Sequence, residues 1–248
     1  METTKTIKKN KKEEKKEQSE VKILENFDKE KIEEMLKLGL HFGHSHKKKN
    51  PKMDPYLYGM RNNIDIIDLL ETEKQLNIVL DYLKEIKAKK PLILFVGTKP
   101  SAKKIVMELA QKLSMPYVIE RWLGGTLTNF ESIKRRVEFL KEMEKKKQEG
   151  EFEKYTKQER LRIEKEIERT EKKLGGLKNL ERLPDILFVV DANKEKIAIK
   201  EAKRKNICVI ALCDSDGDPT SVDYFIPVND EGISSLKYIF DKVEKALL

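Results

Sequence analysis

The chain has 248 residues, enough to bury the core of one large α/β domain or of a domain with an appendage. Its 52 Lys and Arg residues exceed its 44 Asp and Glu residues, and the formal net charge of +8 favours a polyanionic partner. No apolar segment approaches the roughly 18 residues of a membrane-spanning helix, and the N-terminus lacks the apolar core of a secretory signal. Neither membrane insertion nor export is expected.

The N-terminal segment differs from the rest of the chain in composition. Residues 1–26 are of low complexity, and the first 20 residues contain seven Lys and five Glu. Because this segment has little apolar surface to bury, burial cannot offset the entropy lost on ordering. The segment is therefore predicted to be a disordered tail. Asp28 can then cap a short helix that ends at Gly39, and the Gly- and Pro-containing residues 39–53 predict an irregular loop.

The next two elements have local start and turn signals. Residues 56–59 and 64–67 flank a segment containing Asn62 and Asn63, which predicts a β-hairpin because Asn tolerates the backbone conformation of a tight turn. Thr72 and Gln75 have capping-box spacing and predict the start of a helix.

From residue 92 onward, short apolar segments alternate with amphipathic helices. These segments lack the alternation of half-buried strands, which is typical of strands covered on both faces of a parallel sheet. They are residues 92–96, 117–119, 186–190, 207–212 and 224–226. We therefore predict an α/β domain formed by residues 27–129 and 184–248. Its Cys208 and Cys213 are expected to be free thiols in a reducing compartment.

Residues 130–183 interrupt this alternation and contain no predicted strand. Apolar residues at three- and four-residue spacing predict two antiparallel helices, and Thr156 with Glu159 forms a capping box for the second helix. We interpret this segment as an inserted coiled-coil-like hairpin that serves as a docking arm.

The glycine- and aspartate-containing loops give little support for catalysis. The loops after Gly97 and around Gly124 lack the spacing of a phosphate-binding loop. Asp214, Asp216 and Asp218 do not match a calcium loop, although three carboxylates after a strand could hold magnesium in a metal-dependent α/β enzyme. Carboxylates that cap backbone amides in a turn are the favoured interpretation, so the enzyme remains the alternative.

All three histidines, His41, His44 and His46, lie within six residues. Such a cluster could bind zinc, but no Cys or acidic residue is close enough in sequence to complete four ligands, and the adjacent lysines would repel a cation. The histidines are therefore weak zinc candidates, and no metal or other cofactor is predicted.

Basic residues that follow the histidines in the chain predict RNA binding. Lys47, Lys48, Lys49, Lys52 and Arg61 form what we call the basic loop. Tyr56 and Tyr58 lie close to them, and cations beside stackable rings suit the phosphates and unstacked bases of folded RNA. The candidate RNA-binding residues are Lys47, Lys48, Lys49, Lys52, Arg61, Arg121 and Trp122.

Several motifs taken together resemble one family. They are LGLHFGH at 38–44, NPKM at 50–53, FVGTK at 95–99, RWLGG at 121–125, LGG at 174–176, LPD at 183–185 and DYFIPVND at 223–230. In this order they resemble the bacterial ribosomal protein S2 family of the small subunit, from about Lys29 to the C-terminus. Two positions depart from the family pattern. Lys49 replaces a usual Trp, which favours a phosphate contact there over stacking, and Asp216 replaces a usual Asn.

The resemblance implies a flavodoxin-like parallel sheet with helices on both faces and an inserted antiparallel coiled-coil hairpin. It also implies a cytoplasmic, ribosome-bound protein that contacts small-subunit rRNA and neighbouring ribosomal proteins, including the large mRNA-binding one. It implies no catalysis, no small-molecule substrate and no membrane partner.

Overall fold

The computed structural model describes residues 29–248, so the predicted tail at 1–26 and the predicted cap at Asp28 lie outside the described residues. The helices are α1 (Lys29–Lys37), α2 (Leu69–Lys87), α3 (Pro100–Lys112), α4 (Phe130–Gln148), α5 (Lys157–Leu174), α6 (Lys196–Arg204) and α7 (Ile233–Leu247). The strands are β1 (Phe42–Ser45), β2 (Leu57–Arg61), β3 (Ile64–Ile67), β4 (Ile93–Val96), β5 (Tyr117–Val118), β6 (Ile186–Val190), β7 (Cys208–Cys213) and β8 (Tyr224–Pro227).

Five strands form one parallel sheet in the order β5-β4-β6-β7-β8. Numbered along the chain within this sheet, the order is 2-1-3-4-5, which is the flavodoxin-like arrangement. The central strands β4 and β6 are buried along their whole lengths, as their continuous apolar sequences predicted. The predicted flavodoxin-like α/β fold is confirmed.

Helices cover both faces of this sheet, and alternate strand residues enter two separate hydrophobic clusters. Phe95 and Phe188 pack with α1, α2, α3 and α7, and their ring centroids lie 5.5 Å apart. Leu94 and Leu187 pack on the other face with α4, α5 and α6. The alternation follows from the two-residue period of a strand. Cys208 and Cys213 are free, as predicted.

A second, smaller sheet has the order β1-β3-β2 and is antiparallel. Asn62 and Asn63 join β2 to β3 with φ values of 52° and 61°, the left-handed pair that a two-residue hairpin turn of type I′ requires. The predicted hairpin is therefore confirmed.

The predicted irregular loop at 39–53 is wrong in part, because it contains β1, the short 3-10 helix His46–Lys48 and the start of a second one, Pro51–Tyr56. β1 forms where the chain passes very close to its neighbours. A Cβ added to Gly43 would lie 2.9 Å from the Asp65 carbonyl oxygen and 3.0 Å from Ser215 Oγ. This close approach depends on distant residues, so local sequence did not reveal the strand.

The predicted capping box at Thr72 is also wrong. Helix α2 begins at Leu69, and the Asp68 side chain accepts a hydrogen bond from Leu70 N at 2.9 Å. Thr72 lies inside the helix, where its hydroxyl donates to the carbonyl oxygens of Asp68 and Pro227. It therefore ties α2 to the end of β8.

The segment between β5 and β6 forms α4 and α5 and contains no strand. The predicted capping box at the start of α5 is present, since Thr156 and Glu159 each bond to the other's backbone N–H. Leu140 and Ile167 belong to one hydrophobic cluster, so the two helices pack together. Coiled-coil geometry and the domain boundaries stay predictions. Among residues 29–248, no helix has the length and apolar character needed to cross a membrane.

Candidate RNA and protein interface

The predicted basic loop lies at the surface beside the small sheet. Lys47, Lys48 and Arg61 are exposed, and within residues 29–248 none of them forms an ion pair. Lys49 Nζ lies 2.7 Å from Asp54 Oδ1, and Lys52 Nζ lies 2.8 Å from an oxygen of the Asp218 carboxylate. These lysines are thus partly neutralised by surface pairs, which contribute little to stability and can exchange for other anions.

The residues after β7 hold this basic loop in place. Ser215 Oγ accepts a hydrogen bond from His44 N at 2.9 Å, and its carbonyl oxygen accepts one from Asn50 N at 2.9 Å. Together with the pair between Lys52 and Asp218, these bonds join two segments that are far apart in sequence. The basic loop and the acidic loop at 214–218 therefore form one surface.

The three aspartates of this acidic loop have different partners. Asp214 accepts a bond from Ser215 N, Asp216 accepts one from Asn193 Nδ2 at 2.7 Å, and Asp218 caps Thr220 while pairing with Lys52. The favoured interpretation was that these carboxylates cap turns, and it agrees with the contacts of Asp214 and Asp218. The geometry adds no support to a magnesium enzyme that would use all three.

The three histidines also lie in different environments. The His41 ring packs against Phe42 with centroids 4.0 Å apart, and His46 Nδ1 lies 2.6 Å from Asp65 Oδ1. His44 Nδ1 lies 3.1 Å from Asp214 Oδ2, and this acidic environment raises the pKa of His44 to about 9. The histidine cluster in the sequence therefore does not correspond to one cluster of imidazoles in space.

One cluster of side chains could bind a metal ion, and His44 is the only histidine in it. Ligand atoms of His44, Asp214 and Asp230 lie within 4.8 Å of one another, and this is the single such group found across the described part of the chain. One imidazole and two carboxylates could hold a divalent cation. Sequence spacing did not connect His44 with Asp214 and Asp230, because the two aspartates follow β7 and β8 and lie far from His44 in the chain.

Lys99 is buried in a group of charges at the carboxyl edge of the large sheet. Lys99 Nζ lies 2.8 Å from Asp191 Oδ2 and 2.6 Å from Asp230 Oδ1. Burial opposes the charge on Lys99, but the two carboxylates outweigh it and raise the pKa of this lysine. Burial raises the pKa of Asp230 to about 7, and the nearby charges of Asp214 and Asp191 add to the rise. The positions directly after the strands were the available sequence signal for this group.

Arg121 and Trp122 differ sharply in exposure. Arg121 is exposed, whereas the Trp122 side chain is 6% exposed and its Nε1 donates a hydrogen bond to Glu201 Oε1 at 3.1 Å. Glu201 also accepts bonds from the backbone N–H groups of Gly125, Leu127 and Thr128. In this arrangement the indole supports the loop at 122–128, and its ring faces are not open to a nucleotide base.

An apolar groove of about 700 Å³ lies on the small sheet. Phe42, Tyr58 and Met60 line it, and they are 49%, 82% and 58% exposed. Sequence analysis placed Tyr58 near RNA but missed the groove, because Phe42 was assigned to a loop. Exposed apolar surface of this kind marks sites of interaction with other molecules.

Fold and surface together define an α/β protein of the flavodoxin-like class, with a basic loop held beside the carboxyl edge of its sheet. A sequence model of the family described as Ribosomal protein S2 matches residues 35–248. The chain therefore belongs to the ribosomal protein S2 family and is a small-subunit ribosomal protein, part of a ribonucleoprotein that acts in translation. Proteins of this family are typically not enzymes.

Proposed function

We propose that this chain is a structural constituent of the small ribosomal subunit that binds small-subunit rRNA and neighbouring ribosomal proteins, including the large mRNA-binding protein. In this role it works in the cytoplasm on the ribosome, catalyses no reaction and needs no small-molecule substrate. The family match over residues 35–248 is the observation that carries the proposal. Two surfaces of different chemistry support it, one basic and one apolar.

The basic loop supports binding to rRNA. Lys47, Lys48 and Arg61 can neutralise phosphates directly because no carboxylate of the described residues is paired with them. Lys49 and Lys52 can exchange their aspartate partners, which are at least partly exposed, for phosphates at small cost. Each neutralised phosphate releases counterions, so we expect affinity for rRNA to fall steeply as salt rises.

The apolar groove on the small sheet supports binding to a protein. Aromatic and Met side chains are enriched at protein interfaces, and an aromatic anchor commonly contributes a large share of the binding energy. Tyr58 is 82% exposed at the rim of this groove. We propose that the groove receives an apolar segment of the large mRNA-binding protein, the partner that family resemblance implies.

Helices α4 and α5 complete the proposal. We propose that residues 130–183 form an inserted arm on the α/β domain of residues 27–129 and 184–248, and that this arm makes further contacts within the subunit. Its base is packed on the sheet through Ile133 and Val137, while Phe139 remains 53% exposed. A well-anchored base and an exposed outer part suit a docking arm.

Sedimentation of a cell lysate on a sucrose gradient, with an antibody against this chain, tests the proposal. We expect the chain to migrate with small subunits and whole ribosomes at physiological magnesium and to be released as salt rises. A chain that stayed at the top of the gradient under every condition would refute the proposal. Magnesium-dependent turnover by the purified chain, abolished by Asp214→Asn or Asp216→Asn, would instead favour the enzyme alternative.

A further inference from the structure

Helix α6 and its flanks present an unusual density of exposed cations. All six Lys and Arg side chains of residues 194–205 are exposed, and none forms an ion pair with another residue in the range 29–248. They are Lys194, Lys196, Lys200, Lys203, Arg204 and Lys205. On other helices, by contrast, some exposed lysines pair with a carboxylate of their own helix, for example Lys74 with Glu71 and Lys84 with Asp81. The surface of α6 is therefore more positive than the chain's modest net charge suggests.

This positive charge is unbalanced because both acids of the segment point into the protein. Glu195 is buried and accepts a hydrogen bond from the Thr98 hydroxyl. Glu201 is 5% exposed, and its carboxylate is bonded to Trp122 and to the loop that follows it. The buried side of α6 is completed by Ala198, Ile199 and Ala202. Among the residues of α6, only Ile197 and cations reach the solvent-facing side.

The cations follow the geometry of the helix. Lys196, Lys200 and Lys203 are spaced i, i+4 and i+7, so they form one stripe along the exposed side. At 1.5 Å per residue this stripe is about 10 Å long, a length over which a nucleic-acid duplex presents several phosphates. We call the exposed side formed by Lys196, Lys200, Lys203 and Arg204 the α6 basic face.

The α6 basic face is close to the surface already assigned to RNA. Asn193, just before the helix, donates a hydrogen bond to Asp216 in the acidic loop, and the same loop holds Lys52 through Asp218. The acidic loop is thus bonded both to the basic loop and to the start of α6. An RNA that contacts the basic loop could therefore also contact the α6 basic face.

We infer that the α6 basic face is a second rRNA contact of this protein and binds the phosphate backbone of an RNA duplex. The inference rests on the proposed function in the ribosome. RNA fits this face better than a protein does, because protein interfaces are depleted in Lys and use aromatic anchors, which α6 lacks. Recognition of duplex RNA relies largely on phosphate and ribose contacts, which such a face can make without reading bases.

A charge-matched pair of variants tests the inference. The variant Lys196→Gln/Lys200→Gln/Lys203→Gln removes three charges from the α6 basic face while keeping residues with good helix propensity. The control Lys74→Gln/Lys84→Gln/Lys104→Gln removes the same charge from helices α2 and α3, at lysines that pair with carboxylates on their own helices. Affinity of the full chain for in vitro transcribed small-subunit rRNA is measured over a series of salt concentrations.

We expect the α6 variant to lower the slope of log affinity against log salt by about 2 to 3, since each of the three lost phosphate contacts contributes about 0.7 to 0.9. The control variant should leave the slope nearly unchanged. The variant Lys196→Arg/Lys200→Arg/Lys203→Arg keeps the charge and should retain the wild-type slope. If the triple glutamine variant does not fold, the three single substitutions are measured instead, and each should lower the slope by about 0.7 to 0.9.

The outcomes separate this inference from the proposed function. If the wild-type chain shows no salt-dependent affinity for rRNA, the proposed function itself fails. If the wild-type chain binds and the α6 and control variants have equal slopes, the proposed function stands and the α6 inference is wrong. If the α6 variant keeps its slope on free rRNA but no longer joins assembled small subunits, the face binds a protein and the inference is also overturned.

Discussion

Two lysines beside the carboxyl edge of the large sheet, Lys99 and Lys52, differ in burial and therefore in the role that their charges can have. Lys99 Nζ lies within 2.8 Å of two carboxylates and its side chain is 12% exposed. Lys52 Nζ lies 2.8 Å from Asp218, but its side chain is 51% exposed. A buried ion group cannot be disrupted without leaving a charge unpaired, whereas an exposed pair can exchange its partner for another anion. We therefore propose that Lys99 serves the stability of the fold and that Lys52 serves binding.

The largest effect is expected from Lys99→Met. Removal of the cation leaves Asp191 and Asp230 close together and without their buried partner, which we expect to lower the free energy of unfolding by about 3–5 kcal/mol. Urea unfolding of the full chain measures this change. The control is Lys103→Met, which removes a more exposed pair with Glu120 and should cost less than about 1 kcal/mol. Equal losses in both variants would contradict the distinction between buried and exposed charges.

The buried carboxylate of Glu201 should contribute to the free energy of unfolding in a way that depends on pH. Burial opposes ionisation of Glu201, but hydrogen bonds from Gly125 N, Trp122 Nε1 and further loop donors outweigh it and lower the pKa of Glu201. A lowered pKa in the folded state means that Glu201 stabilises the fold above its unfolded pKa of 4.5. This contribution is lost as pH falls through the lower folded-state pKa.

Glu201→Gln should therefore lower the free energy of unfolding at pH 7 by about 1–3 kcal/mol, because an amide cannot accept every bond of the carboxylate. The loss should shrink as pH falls below 4.5, which thermal unfolding over a pH series measures. Exposed Glu108→Gln on α3 serves as the control and should have little effect at any pH. A loss of the same size at every pH would show that ionised Glu201 is not what stabilises the loop.

Substitution of an exposed charge should affect RNA binding more than the free energy of unfolding, the opposite of what we expect for a buried charge. Lys52→Gln should change the free energy of unfolding by less than about 1 kcal/mol, since its pair with Asp218 is a surface pair. It should nevertheless lower the salt slope of rRNA binding by about 0.7 to 0.9. Lys104→Gln, which removes an exposed pair with Glu108, is the matched control and should leave that slope unchanged. A Lys52 variant that lost stability but not the slope would remove this lysine from the RNA surface.

The smallest effect on stability is expected in the apolar groove. Tyr58→Ser should leave the free energy of unfolding within about 0.5 kcal/mol of wild type, because the side chain is 82% exposed. It should weaken association with the large mRNA-binding protein while rRNA affinity stays the same, as pull-down and filter-binding assays report. Ile233→Ser is the control, because Ile233 is 64% exposed and lies outside the groove. Equal weakening by both variants would argue against the groove as the docking site.

Sequence by itself determined the elements whose signals are local or repeat along the chain. The continuous apolar segments determined the strands of the large sheet, Asn62 and Asn63 determined the hairpin turn, and Thr156 with Glu159 determined the start of α5. Each of these depends on residues a few positions apart, which a pattern can detect. The ordered motifs likewise indicated the family, which the match over residues 35–248 confirmed.

Only the tertiary structure decided which charged and aromatic side chains are free to bind. The sequence does not show that Trp122 is buried against Glu201, that Lys99 is buried between Asp191 and Asp230, or that the acids of α6 face inward. These partners are distant in sequence and meet because the parallel strands deliver their carboxyl ends to one edge and the helices cover both faces. A count of charges cannot separate those buried in pairs from those exposed, and in this protein that separation determines where RNA is proposed to bind.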